Sequence, residues 1–306
     1  MMNTDNKMNR ALILLMLLAP VMNETVLAQL PKRILRFGFY ASITDAGNIS
    51  EIDASFKHWV EAVQKNTKAD WFSKAEIQYT IYKTKLELVT NLRKGNLDFM
   101  NFSTIDFFGL NLQKDVVPIL TPSKRVDTIF DKYLLVGTIQ SAINNISELS
   151  NTGILIPVTY SHDLMNIWIK VALKEKLSKK MFGSVKIIES GKTENETLHA
   201  VFFRNAELAV VREGTYLFAC ELNPQLKTNL KIIAESPDLI NNFLGRTLTA
   251  DPRYSNVLIN EGLKLHTWIE GKQLLNLMQS ECMHTVKLEN MLQTETLISK
   301  YNKYFN

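Results

Sequence analysis

Short β-type runs, each followed by a stretch with helical spacing, dominate the hydrophobic pattern of the chain. Residues 34–39 (ILRFGF) and 76–82 (EIQYTIY) are typical of strands. Between them, Asp53 is the expected N-cap of a helix whose apolar positions 56, 59, 60 and 63 share one face. The first part of the chain therefore predicts a strand, a helix and a second strand.

A second helix and strand follow in the same order. Leu86, Val89 and Leu92 are spaced to form one apolar helix face, and Gly95 is well placed to end that helix. Residues 97–102 predict a strand, and a polar Ser103-Thr104 corner leads into a short helix.

The alternation continues in a second block, which ends at about residue 235. Strands are predicted at 133–139, 153–158, 185–189, 207–211 and 230–234, and helices from about 160 to 180, at 194–203 and at 213–222. Asn223-Pro224 ends the last of these helices, and the tail from about Tyr254 is predicted to be mainly helical. Alternating strands and helices predict an α/β protein with open sheets.

The N-terminus has the pattern of a secretory signal. Residues 11–22 (ALILLMLLAPVM) are apolar, Lys7 and Arg10 precede them, and Val26-Leu27-Ala28 suits cleavage before Gln29. The run is shorter than the ~20 apolar residues that span a bilayer. We predict a signal peptide at 1–28 and an exported, periplasmic mature chain; an uncleaved membrane anchor is the alternative.

Composition narrows the classes of partner. The 306 residues are 46% hydrophobic and 22% charged, with a net charge of +4. Removal of residues 1–28 takes away two basic and two acidic side chains, so the charge of the mature chain is unchanged. This weakly favours anionic partners, and without a basic stripe no nucleic-acid partner is expected. The lysines at 174, 176, 179 and 180 are interpreted as a solvated helix face.

The two cysteines, Cys220 and Cys282, are far apart in sequence. In an oxidising compartment they have the chemistry to pair, and such a bond would join distant segments. Sequence alone does not show whether their Cα atoms come within bonding range. A disulfide and two free buried thiols both remain open.

No motif predicts catalysis, a metal or a cofactor. Ser190-Gly191-Lys192-Thr193 resembles the end of a phosphate-binding loop, but Lys186 stands where that loop needs its first glycine. The chain has no G-x-S-x-G or H-E-x-x-H motif, and its five histidines lack metal-ligand spacing. We therefore predict that the chain is not an enzyme.

Residues 85–110 (KLELVTNLRKGNLDFMNFSTIDFFGL) resemble a segment of the periplasmic phosphonate/phosphate/phosphite-binding proteins of ABC importers. Val89, Leu92, Gly95 and Asp98 hold the places of that family's helix–Gly–strand pattern. Further stretches resemble the family in the same order: Ser141-Ala142-Ile143, Ser147-Glu148-Leu149, 200–211 and Glu235-Ser236-Pro237.

The resemblance implies the two-lobed periplasmic binding protein fold. Each lobe is expected to be an open mixed sheet flanked by helices, with two crossover strands as the hinge. Lobe 1 is expected to comprise residues 29–127 and 236–306, and lobe 2 residues 128–235, inserted into lobe 1. Ligand is expected between the lobes, beyond the strand ends.

The family's phosphoryl-binding turn is altered in this chain. The family presents a Ser-Thr-Ser-Gly turn at a helix N-terminus, where N–H groups and hydroxyls hold oxyanions. This chain has Thr159-Tyr160-Ser161-His162-Asp163, which keeps hydroxyls but lacks the glycine. Asp163 suits a helix start and repels an anion.

The resemblance also assigns the other expected ligand contacts. Lys85 occupies the place of a ligand-facing tyrosine, Glu207 that of an acidic residue, and Tyr133 lies near an aromatic position at the start of lobe 2. Arg212 suits bidentate oxyanion binding. The expected ligand-binding residues are Tyr40, Lys85, Ser103, Thr104, Tyr133, Thr159, Tyr160, Ser161, His162, Glu207 and Arg212.

These features predict a monomeric solute-binding protein that captures a small anionic, phosphonate- or phosphate-like ligand and delivers it to an ABC importer permease. Hinge closure around the ligand would be the mechanism. One alternative is a ligand-sensing or interaction module of the same fold that acts on a membrane sensor protein. Another is an exported enzyme whose site has no recognisable motif.

Overall fold

Two open mixed sheets, joined by two chain crossings, form the framework of the protein. The structure is a computed structural model, and it describes residues 34–40, 57, 61–65, 67, 70–159, 162–191, 193–278 and 280–306. The signal segment predicted at 1–28 and the candidates Tyr160 and Ser161 lie outside these ranges. Within them, no helix has the length and apolar character needed to cross a membrane.

The first sheet has six strands in the order β11-β4-β10-β3-β1-β2. They are β1 (Ile34–Tyr40), β2 (Glu76–Tyr82), β3 (Phe99–Ser103), β4 (Val116–Ser123), β10 (Asn242–Thr247) and β11 (Cys282–Thr285). Strands β1, β2 and β3 are parallel, and β10 joins them antiparallel to β3. The carboxyl ends of β1–β3 therefore meet at one edge of this sheet.

The second sheet has five strands in the order β7-β6-β8-β5-β9. They are β5 (Tyr133–Thr138), β6 (Gly153–Ile156), β7 (Lys186–Glu189), β8 (Leu208–Arg212) and β9 (Leu230–Glu235). Strands β6, β7 and β8 are parallel, and β5 runs antiparallel to β8 and β9. We call the first sheet with its helices lobe 1 and the second lobe 2.

The α-helices of the described ranges flank these sheets. They are α1 (Asp70–Ser73), α2 (Lys85–Arg93), α3 (Thr104–Gly109), α4 (His162–Lys176), α5 (Lys179–Ser184), α6 (Glu194–Phe202), α7 (Glu213–Leu222), α8 (Pro224–Asn229), α9 (Pro252–Gly262), α10 (Ile269–Leu277) and α11 (Leu292–Phe305). Residues 57 and 61–65 are also helical, within or just after the stretch where a helix is predicted. The α/β class and the two-lobed architecture are confirmed.

Local sequence signals account for several helix ends. The hydroxyls of Thr84 and Ser103 accept hydrogen bonds from the backbone N–H groups of Glu87 and Asp106, so they cap α2 and α3. Gly95 follows α2 with φ +72°, a left-handed conformation that favours glycine and stops the helix. Thr193 begins α6 through a capping box with Glu196.

Three strands of lobe 1 are absent from the sequence prediction. β4 contains Pro118 and Pro122, which argue against a central strand, yet it lies between β10 and β11. A register shift at Leu244/Gly245 of β10 accommodates the pairing next to Pro118. β11 lies within the tail expected to be helical, which is therefore mixed.

Two helix predictions also need correction. The helix expected to reach about residue 180 ends at Lys176, and Ser178 caps the separate helix α5. On α2, Leu88 and Leu92 face the core, whereas Leu86 is 78% exposed. The spacing therefore gave the helix correctly but rotated its apolar face.

One hydrophobic cluster continues from lobe 1 into lobe 2. Phe107 packs edge-on against Phe243 in lobe 1, and Tyr133 packs near Trp168 in lobe 2. Helix α11 belongs to the same cluster and contacts both α3 and α4. The two crossings are themselves paired, because Asp131 and Leu239 exchange both backbone hydrogen bonds.

Cys220 and Cys282 are free and buried, in α7 of lobe 2 and β11 of lobe 1. Burial raises the pKa of both thiols, which lowers their reactivity. We expect a reducing agent to leave the midpoint of thermal unfolding unchanged. Mass spectrometry after alkylation should show two modified cysteines in denaturant and little modification in the native protein. A midpoint that falls on reduction would contradict the free-thiol state.

Candidate functional site

The strand ends of the two lobes face each other. Tyr40 ends β1, Lys85 follows β2, and Ser103 ends β3, all at the same edge of the lobe 1 sheet. On lobe 2, Thr159 and His162 follow β6, and Glu189 ends β7. Asp163 in lobe 2 is one of the charges that raise the pKa of Lys85 in lobe 1, which indicates that the two edges lie near each other. We call the space between them the interlobe cleft.

Lys85 is a cation at the lobe 1 edge of the cleft. Its Nζ lies 2.5 Å from Asp106 Oδ1 and 5.8 Å from the centre of the Tyr40 ring, and its side chain is 49% exposed. Burial lowers the pKa of Lys85, but the hydrogen bond and charge of Asp106, with Tyr40 and Asp163, outweigh it and leave the pKa raised. The amine is therefore protonated at neutral pH and accessible.

The N-terminus of α4 forms the opposite edge. His162 begins this 15-residue helix, and its N–H donates to the carbonyl of Thr159. The His162 ring is mostly buried, with Nδ1 3.5 Å from Asp163 Oδ1 and Nε2 3.4 Å from Glu189 Oε1, without a hydrogen bond at Nε2. The first N–H groups of a helix and its dipole favour an anion here.

Among the residues that the structure describes, three carboxylates share this region with Lys85. Asp106 is paired with that lysine, and Asp163 and Glu189 have exposed side chains, Asp163 at 85%. Carboxylates repel anions and attract cations and hydrogen-bond donors. The cleft therefore offers an anion-favouring helix end beside a set of negative groups.

Thr104 and Tyr133 have roles at the hinge, not at the cleft surface. The Thr104 side chain has no exposed surface, and its hydroxyl donates to the carbonyl of Ile240 at 2.7 Å. Tyr133 is also fully buried and donates to Asn241 Oδ1 at 2.6 Å. The sequence places these residues among ligand contacts; the structure uses their hydroxyls to fix the second crossing, because buried polar groups require partners.

Arg212 is likewise committed to a buried network. It is 3% exposed, and its Nε donates to Glu194 Oε1 at 2.6 Å while its backbone N–H donates to Glu194 Oε2. Asp131 lies in the same region: burial raises its pKa more than the charge of Arg212 and the hydrogen bond from Asn241 lower it. In this conformation Arg212 therefore supports the hinge instead of presenting a fork to solvent.

Glu207 lies at the wrong end of its strand for the cleft. It precedes Leu208, the first residue of β8, whereas Arg212 ends that strand near the hinge. The strand rises about 3.3 Å per residue, so the two positions are roughly 16 Å apart. Glu207 is exposed beside Arg204 and Gln140, on the side of lobe 2 away from the cleft.

Tyr40, Lys85, Ser103, Thr159 and His162 are the expected ligand residues that the structure brings to the cleft edges. Ser103 also caps α3, so its hydroxyl has a structural partner. The sequence reasoning missed Asp106, Glu189 and Asn241. Asp106 stands in the first turn of α3 and Glu189 at a strand end, which are signals that sequence carries; nothing local identifies Asn241 as a hinge residue.

In the described ranges, no group of three His, Cys, Asp or Glu side chains is arranged to hold a metal ion. Ser190 and Thr193 contact the first turn of α6: the Ser190 hydroxyl lies 3.0 Å from that of Thr197, and Thr193 forms the capping box with Glu196. Gly191 has φ +59°, a left-handed conformation that favours glycine.

Several solved bacterial structures have a similar architecture. PhnD1 from Prochlorococcus marinus, solved with methylphosphonate, superposes with a TM-score of 0.54 at 17% identity, covering 89% of this chain and all of that one. A Xanthomonas citri protein bound to ATP superposes with a TM-score of 0.56 at 12% identity, covering 88% of this chain and 97% of that one. The binding-protein component of an ABC phosphonate transporter from Pseudomonas aeruginosa superposes with a TM-score of 0.51 at 11% identity, covering 89% of this chain and 88% of that one.

At these identities, the superpositions establish the fold alone. A search of curated protein sequences finds no match. The model of one protein family, described as the periplasmic substrate-binding protein of phosphonate ABC transporters, matches residues 46–290. That match spans most of the chain, both lobes and the hinge, so the chain belongs to the phosphonate-type periplasmic substrate-binding proteins of ABC importers.

Proposed function

We propose that this protein binds a small phosphonate- or phosphate-like solute in the interlobe cleft and delivers it to an ABC importer permease. The observation that carries this proposal is the placement of the α4 N-terminus opposite the protonated amine of Lys85. A helix N-terminus and a lysine are complementary to one oxyanion. The methylphosphonate in the Prochlorococcus relative supports the same ligand class.

The carboxylates of the cleft narrow the proposed class of ligand further. Asp163 and Glu189 are exposed on either side of His162, and Asp106 forms an ion pair with Lys85. A ligand with an anionic group alone meets repulsion from these oxygens. A ligand that also carries an ammonium group gains from them, so we propose a zwitterionic phosphonate as the preferred solute.

Closure would occur about the paired crossings. Asp131 and Leu239 hold the two segments together, and Thr104, Tyr133 and Asn241 tie them to the lobes. A ligand that contacts Lys85 in lobe 1 and α4 in lobe 2 stabilises the state in which both contacts exist. Its binding energy therefore acts directly on the hinge equilibrium.

Thermal unfolding with added ligand tests the proposal. We expect 2-aminoethylphosphonate to raise the midpoint of thermal unfolding in a concentration-dependent way. At 100 times its Kd, the ligand should raise the free energy of unfolding by about 2.7 kcal/mol. Ethylphosphonate, which lacks the amine, should stabilise less, and ethylamine not at all. Equal effects of the two phosphonates would refute the role of the carboxylates. No shift with any phosphonate, phosphate or phosphite would refute the anion-binding proposal.

A further inference from the structure

A groove separate from the interlobe cleft runs between α4, α5, β7 and the C-terminal helix α11. Its volume is about 340 Å³, within the ~300–1,000 Å³ range of small-molecule pockets. Apart from Lys170, it is lined by Leu173, Phe182, Val185, Ile187, Tyr301 and Phe305. The groove therefore has an apolar floor and one cationic wall.

The walls of this groove are held in place by specific contacts. The ring of Phe305 lies 6.0 Å from that of Phe182, which joins the end of α11 to α5. Glu175 of α4 accepts a hydrogen bond from Tyr304 at 3.1 Å and pairs with Lys300 at 2.9 Å. The groove is thus a built feature of the packing of α11 against lobe 2.

Positive charge is concentrated around the groove. The four elements that form it contain eight lysines: Lys170, Lys174, Lys176, Lys179, Lys180, Lys186, Lys300 and Lys303. They contain four carboxylates, of which Asp163 and Glu189 lie at the cleft, Glu295 lies in the first turn of α11, and Glu175 is paired with Lys300. The net charge of the whole chain is only +4, so the excess is local.

Two of these lysines belong to the groove itself. Lys170 lines it, and the Nζ of Lys174, one helical turn later, lies 5.5 Å from the centre of the Phe182 ring. Most of the other six lysines are consistent with a solvated helix face. That interpretation does not explain why Lys170 and Lys174 lie beside an apolar groove. The pair on α4 places two ammonium groups at the rim of an apolar groove, the arrangement that complements a molecule with an apolar chain and an anionic head.

We propose that this groove is a second ligand site, for a free fatty-acid anion. The acyl chain lies along the apolar floor, against Phe182, Ile187 and Phe305, and the carboxylate pairs with Lys170 and Lys174. This site does not depend on what the interlobe cleft binds, because the two share no lining residue. Binding here also fills the seam between α11 and lobe 2.

Isothermal titration of the mature protein with dodecanoate, below the concentration at which it aggregates, tests the site. We expect one molecule to bind per chain, with affinity falling by up to about fourfold for each methylene removed in the series to decanoate and octanoate. Dodecanol, which lacks the charge, should bind at least tenfold more weakly. A K170Q/K174Q variant should bind dodecanoate at least tenfold more weakly than the wild type. The K94Q/K227Q variant, which removes two exposed lysines elsewhere, should bind it as the wild type does.

Three results would overturn the proposal. The first is equal binding of dodecanoate by both double variants and the wild type. The second is competition between dodecanoate and 2-aminoethylphosphonate, which would place the chain in the cleft. The third is sedimentation with anionic phosphatidylglycerol vesicles without binding of monomeric dodecanoate, which would assign the basic surface to a membrane.

Discussion

Replacement of Arg212 by methionine is expected to lower the free energy of unfolding by about 3–5 kcal/mol, a large share of the stability of a typical protein. Methionine fills much of the space of the arginine stem but leaves Glu194, which is 4% exposed, without its cation. The loss arises from the stranded carboxylate, because a buried charge is costly without a partner. Urea unfolding followed by circular dichroism measures it.

Two further variants separate this cause from general disruption. Glu194→Gln in the Arg212→Met background removes the stranded charge, so it should recover a large part of the lost stability. Arg253→Met removes the ion pair between a half-exposed arginine and Asp251, whose carboxylate still accepts a hydrogen bond from the backbone N–H of residue 253, so it should have a far smaller effect than Arg212→Met. If Arg212→Met were no more destabilising than Arg253→Met, the charge of Arg212 would not stabilise the fold through Glu194.

Lys85→Met should weaken phosphonate binding by about 10- to 100-fold, because a hydrogen bond to a charged group contributes ~1.5–3 kcal/mol. The same change should cost at most ~1 kcal/mol of stability, since its ion pair with Asp106 is half exposed. Calorimetric titration with 2-aminoethylphosphonate measures the affinity, and urea unfolding measures the stability.

The control for Lys85 is the residue that follows the same helix. Lys94 is exposed at the other end of α2, away from the strand ends, so Lys94→Met should bind ligand normally. A Lys85→Met protein that binds 2-aminoethylphosphonate as tightly as Lys94→Met would show that Lys85 does not contact the ligand. Tighter binding would instead show that the ligand is bound mainly through the carboxylates.

The local pattern of the chain was enough to predict the alternating strands and helices, the α/β class and the end of α2 at Gly95. These features depend on spacing and on backbone conformation, which neighbouring residues control. Ordered resemblances along the chain also predicted the family, and the match over residues 46–290 confirmed it. Residues at parallel strand ends, such as Lys85 and Ser103, reached the cleft edge because that position follows from topology.

Burial and long-range pairing decided what the sequence left undetermined. Strand β4 exists despite Pro118 and Pro122, because β10 and β11 pair with it from more than 100 residues away. Thr104, Tyr133 and Arg212 have the chemistry of ligand contacts, but their partners Ile240, Asn241 and Glu194 arrive through the fold and bury them. Residue type sets which bonds a side chain can make; only tertiary packing decides which partner it meets and whether solvent or ligand can reach it.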